Sequence, residues 1–126
     1  MIDHVSIGVR DLGQAQNFYD ALFAPLHFAL LSVKDTELGY GPPGDGCYFF
    51  LYPAQGPQIA GQGAHIAFAA SSAQAVDAAH KAGASRGAVT VRAPGPRPDI
   101  STHYYGTIIL DPDDNKIEIV HAQPSD

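Results

Sequence analysis

Two histidines and one glutamate are the residues whose types and spacing best suit chemistry. His4 and His65 each lie in a short stretch where apolar and polar residues alternate, which is typical of a strand with one face on a core. Glu118 lies in a third such stretch, near the end of the chain. In each stretch the polar residue faces away from its apolar neighbours, so we expect all three side chains to converge on one concave surface.

The chemistry of this set is that of a metal site. Two imidazoles and one carboxylate suit Fe(II), Mn(II), Ni(II), Co(II) or Zn(II), and they leave coordination positions open for substrate or water. The sequence therefore predicts His4, His65 and Glu118 as ligands of a divalent metal ion, with Glu118 also able to move a proton. The ligand types do not select one ion among the five.

The elements that must position these residues are predicted from alternation and from capping signals. Asp11 is a predicted N-cap with Gln14 three residues later, as in a capping box, and Pro25 ends the helix. Ser71 and Ser72 are the N-cap candidates for a second helix, and Gly83 is its predicted C-cap. The predicted strands are Ile2 to Val9, His27 to Val33, Glu37 to Tyr40, Cys47 to Tyr52, His65 to Ala70, Ala88 to Val91, Tyr104 to Leu110 and Lys116 to His121.

The order of strand, helix and three strands thus occurs twice. The same number of residues separates His4 from His65 and Asp11 from Ser72, which indicates an internal repeat. We predict an α+β fold in which two βαβββ modules form a curved mixed sheet, a cup, with the helices outside. The single domain divides into module one (1–56), a linker (57–63), module two (64–122) and a tail (123–126). The modules pair either within one chain or across a dimer.

Further candidates lie where the next-to-last strand begins, close to the expected substrate. His103 and Tyr105 have side chains suited to general acid or base catalysis, and Tyr104 is predicted to contact substrate. The alternative for all three is ordinary packing at the exposed start of a strand.

Two other groups of residues are predicted to bind substrate. Tyr48, Phe50 and Tyr52 alternate towards the cup and would form an aromatic wall there, unless they belong to the core. The segment 93–99 is rich in proline and is predicted to be a long loop. It would act as a lid in which Arg97 holds an anionic group, or else it is simply solvated.

Composition limits the classes of partner. The chain has 126 residues and a formal net charge of −6, with no run of Lys or Arg. Nucleic acids and anionic membrane surfaces are therefore not expected as partners. A single cysteine permits no disulfide within the chain, and no signal peptide or long apolar run is evident. We expect a cytoplasmic protein.

Several motifs resemble one family over almost the whole length. The chain is similar to the vicinal-oxygen-chelate superfamily, which contains glyoxalases, bleomycin resistance proteins and extradiol dioxygenases. The most specific match is Asp111–Glu118, which resembles the signature Asp-Pro-Asp-Gly-Asn-x-x-Glu. The other matching segments are 3–7, 9–12, 18–19 and 63–68. The resemblance implies that His4, His65 and Glu118 are metal ligands and that the ion chelates two neighbouring substrate oxygens. It also implies a homodimer.

The sequence departs from two branches of this superfamily. Glyoxalase I enzymes carry a fourth ligand, usually Glu, where alignment of the two modules gives Phe50. Extradiol dioxygenases carry a Tyr before the Asp-Pro pair, where this chain has Ile108. Asp114 replaces the usual turn glycine, a position that Asp tolerates.

Three functions remain open from the sequence. The first is a metal-dependent lyase, isomerase or extradiol-type dioxygenase that acts on a small oxygenated substrate. The second is a metal-free protein of the bleomycin-resistance type, which binds an aromatic or cationic small molecule. The third is a regulatory module without chemistry.

Overall fold

The computed structural model describes residues 1–122, so the predicted tail 123–126 lies outside the described residues. The predicted order of elements is confirmed. The first module contains β1 (Val5–Val9), α1 (Leu12–Phe23), β2 (Ala29–Lys34), β3 (Glu37–Gly41) and β4 (Phe49–Pro53). The second contains β5 (His65–Ala69), α2 (Ala73–Ala84), β6 (Val89–Pro96), β7 (Tyr105–Leu110) and β8 (Lys116–His121).

The strands form two mixed sheets of four, one in each module. Their orders, β1-β4-β3-β2 and β5-β8-β7-β6, are equivalent, as an internal repeat requires. In each sheet the first strand runs parallel to the last strand of its module, and the other pairs are antiparallel. The α+β class and the two βαβββ modules are therefore confirmed. β1 and β5 are edge strands of separate sheets.

Local signals explain where the helices begin. The Asp11 carboxylate accepts a hydrogen bond from the Gln14 backbone N–H at 2.9 Å, and the Ser72 hydroxyl accepts one from Ala75 at 3.0 Å. Each residue is thus the N-cap that the sequence predicts. After α1, a 3-10 turn at Ala24–Leu26 contains Pro25.

Several predicted boundaries are corrected. The first strand begins at Val5 and not at Ile2, so His4 lies just before it. His27 adopts a left-handed conformation (φ 56°), so β2 begins only at Ala29. Gly83 is not a C-cap, because α2 continues to Ala84. A Cβ at Gly83 would lie 3.2 Å from Leu22 and 3.3 Å from Ile109, so the glycine serves close packing. The predicted loop 93–99 is a strand in its first half, since β6 extends to Pro96.

One hydrophobic core joins the two modules. Phe23 of α1, Phe49 of β4 and Phe68 of β5 pack together, with ring centroids 4.8 to 5.7 Å apart. This core covers the helix-facing side of both sheets. The opposite side of each sheet, here called its open face, carries more exposed side chains. No helix among residues 1–122 is both long and apolar enough to cross a membrane.

Candidate functional site

The open face of the second sheet brings together two of the predicted ligands. Ile117 and Ile119 of β8 are fully buried, so Glu118 between them points to the open face. β8 pairs in parallel with β5, where Ala67 lies opposite Glu118. This register places Glu118 Oε1 3.3 Å from His65 Nε2. The Glu118 side chain is only 8 % exposed, whereas that of His65 is 46 % exposed and accessible to a ligand.

The second oxygen of Glu118 has a partner of its own. The Tyr104 hydroxyl donates a hydrogen bond to Glu118 Oε2. Burial, with this hydrogen bond and the charge of Glu118, raises the pKa of Tyr104 to about 12, and Arg97 opposes the shift. Tyr104 therefore keeps its proton at neutral pH and acts as a donor. The sequence pattern gives no sign of this pair, because its members lie fourteen positions apart in the chain.

His4 lies on the first sheet's side of the molecule instead. Its Nδ1 is 2.6 Å from Asp3 Oδ1, and its ring makes a T-shaped contact with Phe50, with centroids 5.3 Å apart. Among residues 1–122, no three His, Cys, Asp or Glu side chains form a group that could hold a metal ion. The expected convergence of His4 with His65 and Glu118 therefore does not occur within one chain, because β1 and β5 belong to different sheets.

His4 and His65 line two different clefts between the modules. A cleft of about 790 Å³ is lined by His4, Tyr48 and the core aromatics Phe28 and Phe68, among others. A cleft of about 420 Å³ is lined by His65 together with residues of β1. Each cleft contains one of the two histidines.

The predicted aromatic wall lies next to His4. Phe50 and Tyr52 stack with centroids 6.3 Å apart, so these two rings and the His4 imidazole form a contiguous aromatic surface. Tyr52 is 40 % exposed, which makes this surface accessible. Tyr48 is also exposed, but its hydroxyl donates to Asp45 in the preceding loop. The predicted role of these residues in substrate binding stays a prediction.

Tyr105 and His103 are the remaining candidates for an acid or base. The Tyr105 hydroxyl donates to Asp77 of α2 at 2.7 Å, so it faces the helix side and not the open face. This corrects its predicted role as an acid or base at the site, because Tyr104 and Tyr105 point to opposite sides of the sheet. His103 is exposed in the turn before β7.

Arg97 is close to the site but already partnered. Its Nε and Nη2 donate to the two oxygens of Asp99 at 3.0 and 2.8 Å. Its backbone N–H donates to the Tyr104 carbonyl at 2.8 Å, so Arg97 lies beside the residue that bonds Glu118. Asp99 accepts from only two of the five N–H groups of the Arg97 guanidinium, so the other three can bind an anion.

The chain belongs to the Glyoxalase/Bleomycin resistance protein/Dioxygenase superfamily, whose family model matches residues 1–119. This confirms the resemblance that the motifs indicate. A search of the curated proteins finds no match.

Solved structures agree with this assignment. A glyoxalase/bleomycin resistance protein from Albidiferax ferrireducens T118 is 33% identical with a TM-score of 0.83, and the match covers 94% of this chain and 97% of that one. A putative glyoxalase from Bacillus halodurans is 24% identical with a TM-score of 0.73, covering 96% and 95%. A glyoxalase/bleomycin resistance protein/dioxygenase family enzyme from Burkholderia phytofirmans PsJN is 22% identical with a TM-score of 0.73, covering 97% and 98%. The last two comparisons show similarity of fold alone.

Proposed function

We propose that this protein is a divalent-metal-dependent enzyme acting on a small substrate with two neighbouring oxygen atoms. The observation that carries the proposal is the 3.3 Å approach of His65 Nε2 to Glu118 Oε1 on the open face of the second sheet. An imidazole and a carboxylate so close together are suitable ligands for a first-row divalent ion. The resemblance of the surrounding motifs to those of the family also implies that His65 and Glu118 are ligands.

The donor set of one chain fits a metal ion only in part. His65 and Glu118 supply two ligands, and the third predicted ligand, His4, is on the other module with its side chain 52 % exposed. We therefore propose that His4 of a second copy completes the site in a homodimer. A two-fold dimer would contain two such sites, each built from both chains.

Exposed apolar side chains support association. Val33 and Tyr52 on the first sheet and Val89 on the second are 40 to 65 % exposed. A domain of this size buries only part of its apolar surface, and contact with a second copy would cover more.

The roles of the chain's own residues follow from their contacts. A bound ion would supply Lewis-acid activation of a carbonyl or enolate oxygen. Arg97 would bind an anionic group of the substrate through the N–H groups that Asp99 leaves free. The aromatic surface of Phe50 and Tyr52 would contact an apolar part of the substrate. Lyase, isomerase and dioxygenase reactions all suit this arrangement.

A second function is favoured by the same aromatic surface. His4, Phe50 and Tyr52 could bind a flat or cationic molecule without any metal, as bleomycin-resistance proteins do. In that case a ligand would raise the melting temperature equally with and without a chelator.

Metal content tests the main proposal. Untagged protein, incubated in turn with Fe²⁺, Mn²⁺, Ni²⁺, Co²⁺ and Zn²⁺ and then desalted, is analysed for metal by elemental analysis. We expect nearly one ion per chain in the wild type and none in His65→Ala. His27→Asn is the matched control, since it removes an exposed imidazole from a left-handed position that Asn tolerates. Equal metal in His65→Ala and His27→Asn, or no metal in the wild type, would contradict the proposal.

A further inference from the structure

A row of paired residues crosses the open face of the second sheet and ends in an arginine at its outer edge. Arg92 of β6 pairs with Ile108 of β7, and Ile108 pairs with Glu118 of β8. Residues that lie directly opposite each other on paired strands share a face, so the Arg92 side chain is on the open face with Glu118. Neighbouring strands are about 4.8 Å apart, which places the Arg92 and Glu118 backbones about 10 Å from each other.

Arg97 lies on the same face, one step beyond the end of β6. Pro96 pairs with Tyr105, whose hydroxyl contacts Asp77 of α2, so this pair faces the helix side. The pairing continues for one more hydrogen bond, from the Arg97 N–H to the Tyr104 carbonyl at 2.8 Å. Because successive residues of an extended strand point to opposite faces, Arg97 turns to the open face, as Tyr104 does.

Gly95 lies between the two arginines along β6 and leaves a hollow there. It pairs with Gly106, so neither residue places a side chain on the open face at this point. Beyond its chain neighbours, a Cβ at Gly95 would meet only the Ala93 carbonyl oxygen, 4.0 Å away. Gly95 is not among the glycines with positive φ, so its backbone conformation does not require glycine. The hollow is open space flanked by Arg92 and Arg97.

The two guanidinium groups differ in how they are held. The oxygens of Asp99 accept from Arg97 Nε and Nη2, which fixes the guanidinium and leaves Nη1 out of this pair. Arg92 is exposed, and its guanidinium forms no salt bridge with a carboxylate of residues 1–122. Counted with Asp99, the two arginines carry one net positive charge in a chain whose formal net charge is −6.

We propose that Arg92 and Arg97 form a subsite that binds a phosphate group across the hollow at Gly95. Guanidinium groups donate paired hydrogen bonds that match the oxygens of phosphate, and charge-assisted bonds of this kind are strong. The inference rests on the proposed function only in that the phosphate group belongs to the substrate. Such a substrate would span about 10 Å, from the outer edge of the sheet to Glu118. Binding of phosphate at the subsite needs no metal ion.

Inorganic phosphate is the probe for this subsite. The melting temperature is measured against phosphate concentration in the presence of EDTA and at constant ionic strength, and its increase gives an apparent Kd. We expect Arg92→Gln and Arg97→Gln each to raise this Kd by about tenfold or more, because each removes charge-assisted hydrogen bonds. Lys81→Gln is the matched control, since it removes one positive charge from an exposed position of α2 and should keep the wild-type Kd.

Gly95→Val tests the hollow itself. The variant keeps both arginines and adds a β-branched side chain to open space on a strand, so its melting temperature without phosphate should remain close to that of the wild type. We expect its phosphate Kd to rise as much as that of Arg92→Gln, because the added side chain occupies the space between the guanidinium groups.

The outcomes distinguish the subsite from the proposed metal-dependent function. A wild-type Kd in Arg92→Gln or Gly95→Val would overturn the subsite, and so would an equal loss in Lys81→Gln. Because EDTA is present throughout, a wild type that binds phosphate but no metal would support the subsite and contradict the proposed enzyme. A wild type that binds metal but does not respond to phosphate would overturn the subsite alone.

Discussion

At the scale of single residues, the buried carboxylate of Asp111 accepts four hydrogen bonds. Its Oδ2 accepts from the Tyr19 hydroxyl at 2.6 Å and from Asn115 Nδ2 at 2.9 Å. Its Oδ1 accepts the backbone N–H groups of Asp113 and Asn115. Asn115 Nδ2 also donates to the Gly8 carbonyl at 2.9 Å. The turn that carries the family signature is thereby bonded to α1 and β1 of the other module.

Tyr19→Phe should destabilise the protein, because it removes a buried hydrogen bond to a carboxylate. We expect the free energy of unfolding at neutral pH to fall by about 1.5–3 kcal/mol, measured by urea denaturation. Tyr105→Phe is the control, since its bond to Asp77 is exposed and should contribute less than about 0.5 kcal/mol.

The cost of Tyr19→Phe should also depend on pH. Burial raises the pKa of Asp111, and the hydrogen bond from Tyr19 lowers it. A group that lowers the folded pKa contributes stability above that pKa, and the contribution is lost as pH falls and Asp111 becomes protonated. The difference between wild type and Tyr19→Phe should therefore shrink on acidification. A difference that is constant from neutral to acid pH would contradict this account of Asp111.

At the scale of elements, the two helices begin in equivalent ways. Asp11 and Ser72 occupy corresponding positions of the repeat, and each accepts a hydrogen bond from the backbone three residues later. Equivalent local signals in the two modules thus produce helices of the same length, twelve residues each.

Loss of either N-cap should cost a similar amount. We expect Asp11→Ala and Ser72→Ala each to lower the free energy of unfolding by about 1 kcal/mol. Ser71→Ala, at the exposed neighbouring position, should change it by less than about 0.5 kcal/mol. Thermal or urea unfolding measures all three, and an equal cost for Ser71→Ala and Ser72→Ala would show that the cap is wrongly assigned.

The elements were predictable from the sequence where the signal is local. Alternation places His65 and Glu118 on one face of one sheet, and the structure confirms it. Capping residues locate the starts of both helices. Local patterns fail where tertiary packing or strand pairing sets the boundary of an element. Gly83 lies within α2, where it packs against Leu22 and Ile109. Pairing with β7 extends β6 to Pro96.

The candidate site was predictable only in part, for the same reason. Alternation assigns a residue to a face of its own sheet and says nothing about how two sheets are placed relative to each other. His4, just before β1, is consequently apart from His65 of β5 and Glu118 of β8. The contact between Tyr104 and Glu118 likewise depends on the turn before β7, which has no repeating pattern.

At the scale of the whole molecule, the proposed homodimer shares each metal site between two copies of the chain. His4 of one copy and the His65–Glu118 pair of the other would then meet across the two open faces. Such sharing would explain why, within residues 1–122, His65 and Glu118 are the two predicted ligands that lie together, and it needs no rearrangement of the core that joins the modules.

Mixing two variants that each lack a metal ligand tests whether the site is shared. His4→Ala and His65→Ala are each expected to lose bound metal as pure proteins. Native mass spectrometry follows subunit exchange between the two proteins, after which half of the dimers contain one chain of each variant. In such a mixed dimer, one of the two sites keeps all its ligands and the other lacks both histidines. The account predicts that metal content recovers to about one quarter of the wild-type value. Exchange without any recovery of metal, or full metal content in pure His4→Ala, would contradict it.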